Sequence, residues 1–345
     1  MLKNYSSVNF SYIDAYSMIR IYDVTKLMPA NGVLVIDNIA LTCLDTSIIV
    51  GRHNKNKNGN SFMRLQRRPV RDTAYKTAPV AMCFLTHYSC GFGHRLHGML
   101  GSYSTYIKNY KKMAPEGIQV LHFCSTLHVQ GLNALFAEIE QKELLTVRNK
   151  QSIVLNKLVF FNCNNYRPNP LNRIGVTTIL DYLEKSPAYG SHPVEPRIAV
   201  LKTTAVKALD NAINPYGNLN STRIQNILSK YSIKVLDHSK LNVKDLIMTI
   251  TKCSFFVTNW GATSAWHSFL TTQHCYCLVP FGYRREVNST ARLLKNICFH
   301  KGYSNNYTVS APIKNEITSS DERLISADLK KLFYLCQAFP KRTNL

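Results

Sequence analysis

The chain reads as an α/β protein with two Rossmann-like domains, and three features predict this. Short apolar runs rich in β-branched and aromatic residues alternate with amphipathic helical patterns, as in a parallel sheet covered by helices. The stretch from Cys253 to Val279 condenses that alternation. It holds an apolar strand at Ser254–Val257, then a turn of small and polar residues (Thr258, Asn259, Gly261, Ala262, Thr263 and Ser264). A helical pattern starts at about Ser264, and a second apolar run follows at Cys275–Val279. The third feature is length: 345 residues exceed one ordinary core and suit two.

The elements follow in order. Residues 1–32 show no firm periodicity, whereas Val33–Ile36 and Ser47–Val50 read as short strands. His53–Asp72 is basic and rich in Asn and Gly, so it reads as a solvated loop or as a contact for phosphate or membrane. Ala78–Leu85 is a buried strand, and GFGHRLHG (Gly91–Gly98) opens an amphipathic helix running to about Lys112. Gly117–Phe123 is the next strand, Gln130–Ile139 a helix and Ile153–Phe161 a strand. Tyr166–Pro170 breaks the pattern before a helix at Ile174–Glu184.

Ser186–Pro196 is the densest Pro and Gly stretch, and it marks the expected domain boundary. A second series follows: strand Arg197–Leu201, helix Ser221–Lys230, strand Ser232–Leu236 and helix Val243–Thr251. A last helix, Ser326–Gln337, places Leu329, Leu332, Phe333 and Cys336 on one face. The expected domains are 1–185, 186–320 and a terminal segment 321–345 that packs back on the first domain.

Forty-two Lys and Arg against 20 Asp and Glu give a net charge of +22. Such a chain attracts polyanions, whether nucleic acid, an anionic membrane surface or a phosphorylated substrate. No helix-turn-helix, zinc-finger or RNP-like signature is present, so nucleic acid is not the expected partner. No apolar run reaches about 18 residues, and the N-terminus lacks the apolar core of a signal peptide; a cytosolic chain is expected, with a peripheral membrane contact as an option. The Asn-x-Ser/Thr sites at Asn220 and Asn288 are expected by chance in an Asn-rich chain. The ten cysteines are scattered, and only Cys275 and Cys277 are close, which favours reduced structural thiols over a metal site.

Three groups could carry chemistry. GFGHRLHG follows a strand and opens a helix, but its glycines do not have dinucleotide spacing, and no strand ending in Asp or Glu follows at the distance a ribose requires. His94 and His97 sit three apart and can share a cleft, where a histidine serves as a base near neutral pH; His94 could equally cap or pack the helix. The turn at Asn259–Ser264 is either an anion site at a helix N-terminus or a tight turn in which Gly261 and Ala262 allow close packing. Lys202, after the Arg197–Leu201 strand, and Arg223, opening the next helix, are placed to neutralise a diphosphate or are plain surface cations. No Asp-x-Asp is present, so no metal site is expected.

The order of these parts resembles glycosyltransferase family 61. Gly91-Phe92-Gly93-His94 running into Leu96 is similar to that family's Asn-Phe-x-His helix start. Arg197–Lys202 is similar to its strand ending in a basic residue, and Trp260-Gly261-Ala262-Thr263-Ser264-Ala265-Trp266 loosely matches its His-Gly-Ala-Gly-x-x-Asn turn. The likeness spans roughly residues 78–282. This chain has Trp260 where the family has His and Trp266 where it has Asn, and Gly98 and Met99 stand where an acidic residue is common. The Gly91–Leu96 stretch also resembles the helix start of fucosyltransferases, without their His-x-Arg strand motif.

The resemblance implies a GT-B-like fold, two Rossmann-like domains facing a cleft, and an inverting, metal-independent sugar transfer. The donor would be a nucleotide sugar, UDP-linked, and the acceptor a hydroxyl of a glycan, glycolipid or glycoprotein; no cofactor is implied. His94 would be the base, with His97 beside it. Lys202, Arg223, Asn259, Gly261, Ala262, Thr263 and Ser264 would hold the diphosphate. The alternatives are a fucosyltransferase-like enzyme using GDP-fucose and a non-catalytic, polyanion-binding relative.

Overall fold

A computed structural model describes residues 5–7, 18–20, 32–42, 51–52, 59–60, 62–64, 75–84, 92–123, 127–148, 152–161, 171–201, 222–238, 240–271, 274–280, 306–313 and 317–338. The chain divides into two compact units. Unit 1 holds Met1–Arg167 and Ile174–Tyr182, and unit 2 holds Pro168–Arg173 and Leu183–Leu345. Each is α/β.

Unit 1 begins with strands β1 (Tyr5–Ser7), β2 (Met18–Arg20), β3 (Val33–Thr42), β4 (Gly51–Arg52), β5 (Gly59–Asn60) and β6 (Phe62–Arg64). β2–β6 and β4–β5 are short antiparallel pairs. Next come β7 (Tyr75–Cys83), helix α1 (Phe92–Asn109), β8 (Gln119–Phe123), α2 (Leu127–Ile139), β9 (Leu144–Val147), β10 (Ser152–Phe161) and α3 (Asn172–Lys185). The main sheet has the order β1-β3-β10-β7-β8-β9. Its β10-β7-β8-β9 run is parallel, and β3 lies antiparallel to β10. Pro79 sits inside β7 before β8 begins to pair, since β8 meets only Ala81 and Met82.

α1 and α2 pack together. Between them lies an aromatic cluster: Phe84, just after β7, meets Tyr103, Tyr106 and Phe136 edge-on at 5.2–5.8 Å. Each such buried ring contributes roughly 1.5–3 kcal/mol by leaving water. A carboxylate sits beside it. Glu140 accepts hydrogen bonds from the hydroxyls of Tyr103 (2.7 Å) and Tyr106 (3.0 Å) and pairs with Lys111 (3.0 Å).

Unit 2 holds α4 (Pro187–Ser191), β11 (Arg197–Val200), α5 (Thr222–Lys230), β12 (Lys234–Leu236), α6 (Val243–Lys252), β13 (Phe255–Asn259), a 3-10 helix (Ala262–Phe269), β14 (His274–Pro280), β15 (Asn306–Ile313) and α7 (Ser319–Ala338). The five strands are all parallel, in the order β12-β11-β13-β14-β15. All five residues of β13 are buried, as befits a central strand covered on both faces, and this is why Phe255–Val257 reads as a continuous apolar run. α6 starts where the Asn242 side chain accepts from the Asp245 amide at 2.8 Å.

The terminal helix corrects an expectation. The helix α7, expected on the first domain, belongs to unit 2. Its Ile325, Leu329 and Leu332 join Ala199, Ile224, Leu228, Phe255, Val257 and Tyr276 in the core of unit 2. Its apolar face fills the space beside β14, β15 and α5. α7 also begins at Ser319, seven residues earlier than predicted, behind a reciprocal cap: the Asp321 amide donates to the Thr318 hydroxyl (3.2 Å) and the Thr318 amide to the Asp321 carboxylate (2.8 Å). β9 and β15, both edge strands, were not predicted. Ser47–Val50 and Tyr166–Pro170 lie outside the described residues, as does most of His53–Asp72. Among the described residues no helix is long and apolar enough to cross a membrane.

Candidate functional site

In open α/β sheets, ligands bind beyond the carboxyl ends of the strands where the strand order reverses direction. In unit 2 that reversal falls between β11 and β13: β12 lies on one side of β11, and β13, β14 and β15 on the other. The register aligns Leu236, Val200 and Thr258 across three strands. The next residues, Asp237, Leu201 and Asn259, therefore form the carboxyl edge at the switch point. The Thr258 hydroxyl donates to the Val200 carbonyl at 2.9 Å and ties β13 to β11 there.

The chain leaves β13 through a closed turn. The Trp260 amide donates to Leu278 O at 2.8 Å and extends the pairing to β14 by one bond. Gly261 then takes φ 126° and ψ −151°, a conformation essentially reserved for glycine. A 3-10 helix follows, not the α-helix expected from about Ser264, and it starts at Ala262. The Ser264 amide and hydroxyl both donate to Gly261 O, at 3.1 and 2.6 Å. The Thr263 hydroxyl lies 3.1 Å from Asn259 O and 3.2 Å from Asn259 Oδ1, and the Asn259 amide group donates to Trp260 O at 3.1 Å.

These bonds divide the predicted residues by role. The side chains of Asn259, Thr263 and Ser264 are buried and close the turn, so they do not project toward a diphosphate. A 3-10 helix leaves its first amides without an intrahelical acceptor, so the N–H dipoles of Gly261, Ala262 and Thr263 are what the turn offers an anion. Trp260 is half-buried. Trp266 is a fully buried core side chain beside Phe269.

Lys202 lies outside the described residues. Arg223 stands in the first turn of α5, exposed, and ties that helix to α7. Its guanidinium donates to Ile317 O and lies 3.6 Å from the Glu322 carboxylate. At this position it is a brace between helices.

In unit 1, α1 follows the carboxyl end of β7. His94 lies in its first turn, and the His94 side chain is outside the described residues. His97 is buried, 6% exposed, and so is placed for packing more than for contact with a soluble acceptor. His122, near the end of β8, was not anticipated. It is buried, its Nδ1 lies 3.0 Å from the Asn133 amide nitrogen, and burial lowers its pKa to about 4. It is therefore neutral at physiological pH. An apolar run hides such a residue, because a histidine on a strand gives no periodic signal.

His267, on the 3-10 helix, lies with Nε2 2.9 Å from Cys275 Sγ, both buried. Cys83, Cys253, Cys275 and Cys277 are buried and not joined in disulfides. Among the described residues no three His, Cys, Asp or Glu side chains gather as a metal-ligand group. No protein-family model matches the chain, and no curated protein is detectably similar to it.

Proposed function

We propose that the chain is a glycosyltransferase that moves a sugar from a nucleotide sugar, UDP-linked, to a hydroxyl of a glycan or glycoconjugate. The switch point of unit 2 supports this reading: a glycine-gated turn presents successive amides at the carboxyl edge of a parallel sheet, where α/β folds take phosphorylated ligands. The resemblance of the Gly91–Leu96, Arg197–Lys202 and Trp260–Trp266 stretches to family 61 supplies the reaction class.

The chemistry follows from charge. As the sugar leaves, negative charge grows on the diphosphate. Amide dipoles of Gly261, Ala262 and Thr263, with the Lys202 ammonium, stabilise that charge more in the transition state than in the ground state. His94 takes the proton of the attacking hydroxyl. Attack from the face opposite the departing diphosphate inverts the anomeric carbon.

A thermal-shift screen of UDP, GDP, CMP and their sugars, with and without EDTA, tests the reading. A ligand that binds only the native state raises its melting temperature by mass action. The expected result is a rise with UDP and UDP-sugars that survives EDTA and is lost in Lys202→Ala. A rise with GDP and GDP-fucose alone would select the fucosyltransferase-like alternative. No rise with any nucleotide overturns the donor site.

Burial of Trp266 and His97 favours a second reading, a non-catalytic relative, since neither position then contributes a polar group to a ligand. Nucleotide-sugar binding without turnover over days would select it.

A further inference from the structure

We propose that the outward face of α5 and α7 docks unit 2 on an anionic membrane surface. Its cations meet headgroup phosphates, and Leu324 and Tyr334 enter the headgroup layer. The inference uses no residue of the Gly261 turn and stands apart from the donor site.

The two helices share one buried side. Ile224, Ile227 and Leu228 of α5 lie in the same core as Ile325, Leu329 and Leu332 of α7. With those positions inside, helical spacing fixes what points out. Leu324, Ala327, Lys331 and Tyr334 recur at intervals of three and four residues and form one stripe along α7. All four are exposed. Leu324 and Tyr334 stand at the two ends of the stripe, about 15 Å apart along the helix axis. Among the described residues only Met113 and Val194 are large apolar side chains of comparable exposure.

Charge gives the surface its sign. Lys230, Arg323, Lys330 and Lys331 are exposed, and none of them meets a carboxylate among the described residues. Arg323 donates to backbone alone, to Ser319 O at 3.3 Å. The three acids of α7 are half-buried and engaged: Asp321 by Thr318, Glu322 by Arg223 and Asp328 by Tyr276. Tyr231, beside Lys230, stacks on Phe333 at 5.4 Å, which brings the end of α5 to α7. Cations with no carboxylate beside them keep their attraction for headgroup phosphates. Nucleic acid would use the same cations but offers nothing to an exposed leucine, whereas a headgroup layer takes both leucine and tyrosine.

Flotation of the full chain with vesicles tests this, using phosphatidylcholine alone and phosphatidylcholine mixed equally with phosphatidylserine. Binding is expected to the anionic vesicles only and should fall as salt rises. A Lys230→Gln, Lys330→Gln, Lys331→Gln variant should bind about a hundredfold more weakly, from about fivefold for each cation lost near a charged surface. Lys108→Gln, Lys112→Gln, Lys185→Gln removes as much charge from exposed positions on other elements and should bind as the wild type does. Leu324→Ser with Tyr334→Ser should weaken binding and leave its salt dependence in place. Unchanged melting temperatures separate lost binding from lost folding. Equal loss in the two triple variants would mean attraction by net charge alone and overturns the proposal. Absence of binding to anionic vesicles overturns it, and so does a Lys230, Lys330, Lys331 variant that loses affinity for duplex RNA but not for vesicles.

Discussion

The amide of Gly175 donates to the hydroxyl of Ser104 at 2.8 Å, where α3 crosses α1. The same hydroxyl donates back to Leu100 O at 2.7 Å, so it serves as acceptor and donor at once. A Cβ at position 175 would stand 2.8 Å from Leu100 O and 3.0 Å from Ser104 Oγ. Gly175→Ala gains up to about 1 kcal/mol of helix propensity. Against that, overpacking costs roughly 1–3 kcal/mol, and the contact is with backbone, which yields little. Net destabilisation is the expected outcome, read as a lower urea midpoint with an unchanged slope.

Gly261→Ala should cost about 1–3 kcal/mol, because φ 126° with ψ −151° is open to glycine alone. Thr263→Val removes the bonds to Asn259 and should cost about 1 kcal/mol. On the proposed function, both variants should also weaken nucleotide binding, since each loosens the turn. Calorimetric unfolding and nucleotide titration of the same samples check the two effects together.

The acid limb of stability should carry the signature of His122. Its pKa lies at about 4 in the folded chain against 6.5 for an ordinary histidine, because burial disfavours the charged ring. The unfolded chain therefore takes up the proton first. The contribution is fully present above pH 6.5 and is lost as pH falls through about 4, a change on the order of 3 kcal/mol. The difference between wild-type and His122→Gln stability profiles should slope across that window and be flat above it. A flat difference throughout would refute the assignment.

How much of this was legible in the sequence varied with burial. The first three residues of the central strand β13, Phe255–Val257, were plain, because a strand covered on both faces is apolar over most of its length, whereas Thr258 and Asn259 read as turn. β15 was not: NYTVSAPI mixes polar residues with Pro312, which a sheet edge tolerates and a propensity reading rejects. The start of α7 is marked by Thr318-x-x-Asp321, a capping box that lies outside the apolar periodicity of the helix. That face showed Leu329 and Leu332 to be core residues but could not say which core, since periodicity carries no address. The turn at Gly261 was visible as small residues. That Thr263 and Ser264 spend their hydroxyls inside it was not, because a side chain's partner is set by backbone geometry that composition does not encode.

Docking of α7 on unit 2 predicts where damage will spread. Leu329→Ala should cost about 2–5 kcal/mol, whereas Tyr334→Ala, at a side 73% exposed, should stay within about 0.5 kcal/mol. Hydrogen exchange adds the location. Leu329→Ala should speed exchange in β13 and β14, whose Phe255 and Tyr276 share its core, and leave β8 and β10 of unit 1 unchanged. Equal acceleration in β8 and β10 would contradict this packing. Tyr276→Phe, which breaks the 2.9 Å bond to Asp328, should show the same pattern more weakly.

The Glu140 cluster ranks three substitutions. Its side chain is 2% exposed and accepts from two tyrosines, while its cationic partner Lys111 is 45% exposed. Burial and the neighbouring carboxylate raise the pKa of both tyrosines, so they stay protonated donors across the accessible range. Glu140→Gln removes the charge and turns half the acceptor into a donor facing a hydroxyl, and should cost about 3–5 kcal/mol. Tyr103→Phe leaves one carboxylate oxygen short of a partner and should cost about 1–3 kcal/mol. Lys111→Met loses a half-exposed ion pair worth about 1 kcal/mol or less. Urea unfolding of the three variants gives the order. A Lys111→Met cost equal to that of Glu140→Gln would mean that the ion pair, and not the tyrosine hydroxyls, compensates the buried charge. A Tyr103→Phe, Glu140→Gln double variant should lose less than the sum of the singles, because the first removes a donor that the second leaves without its charge.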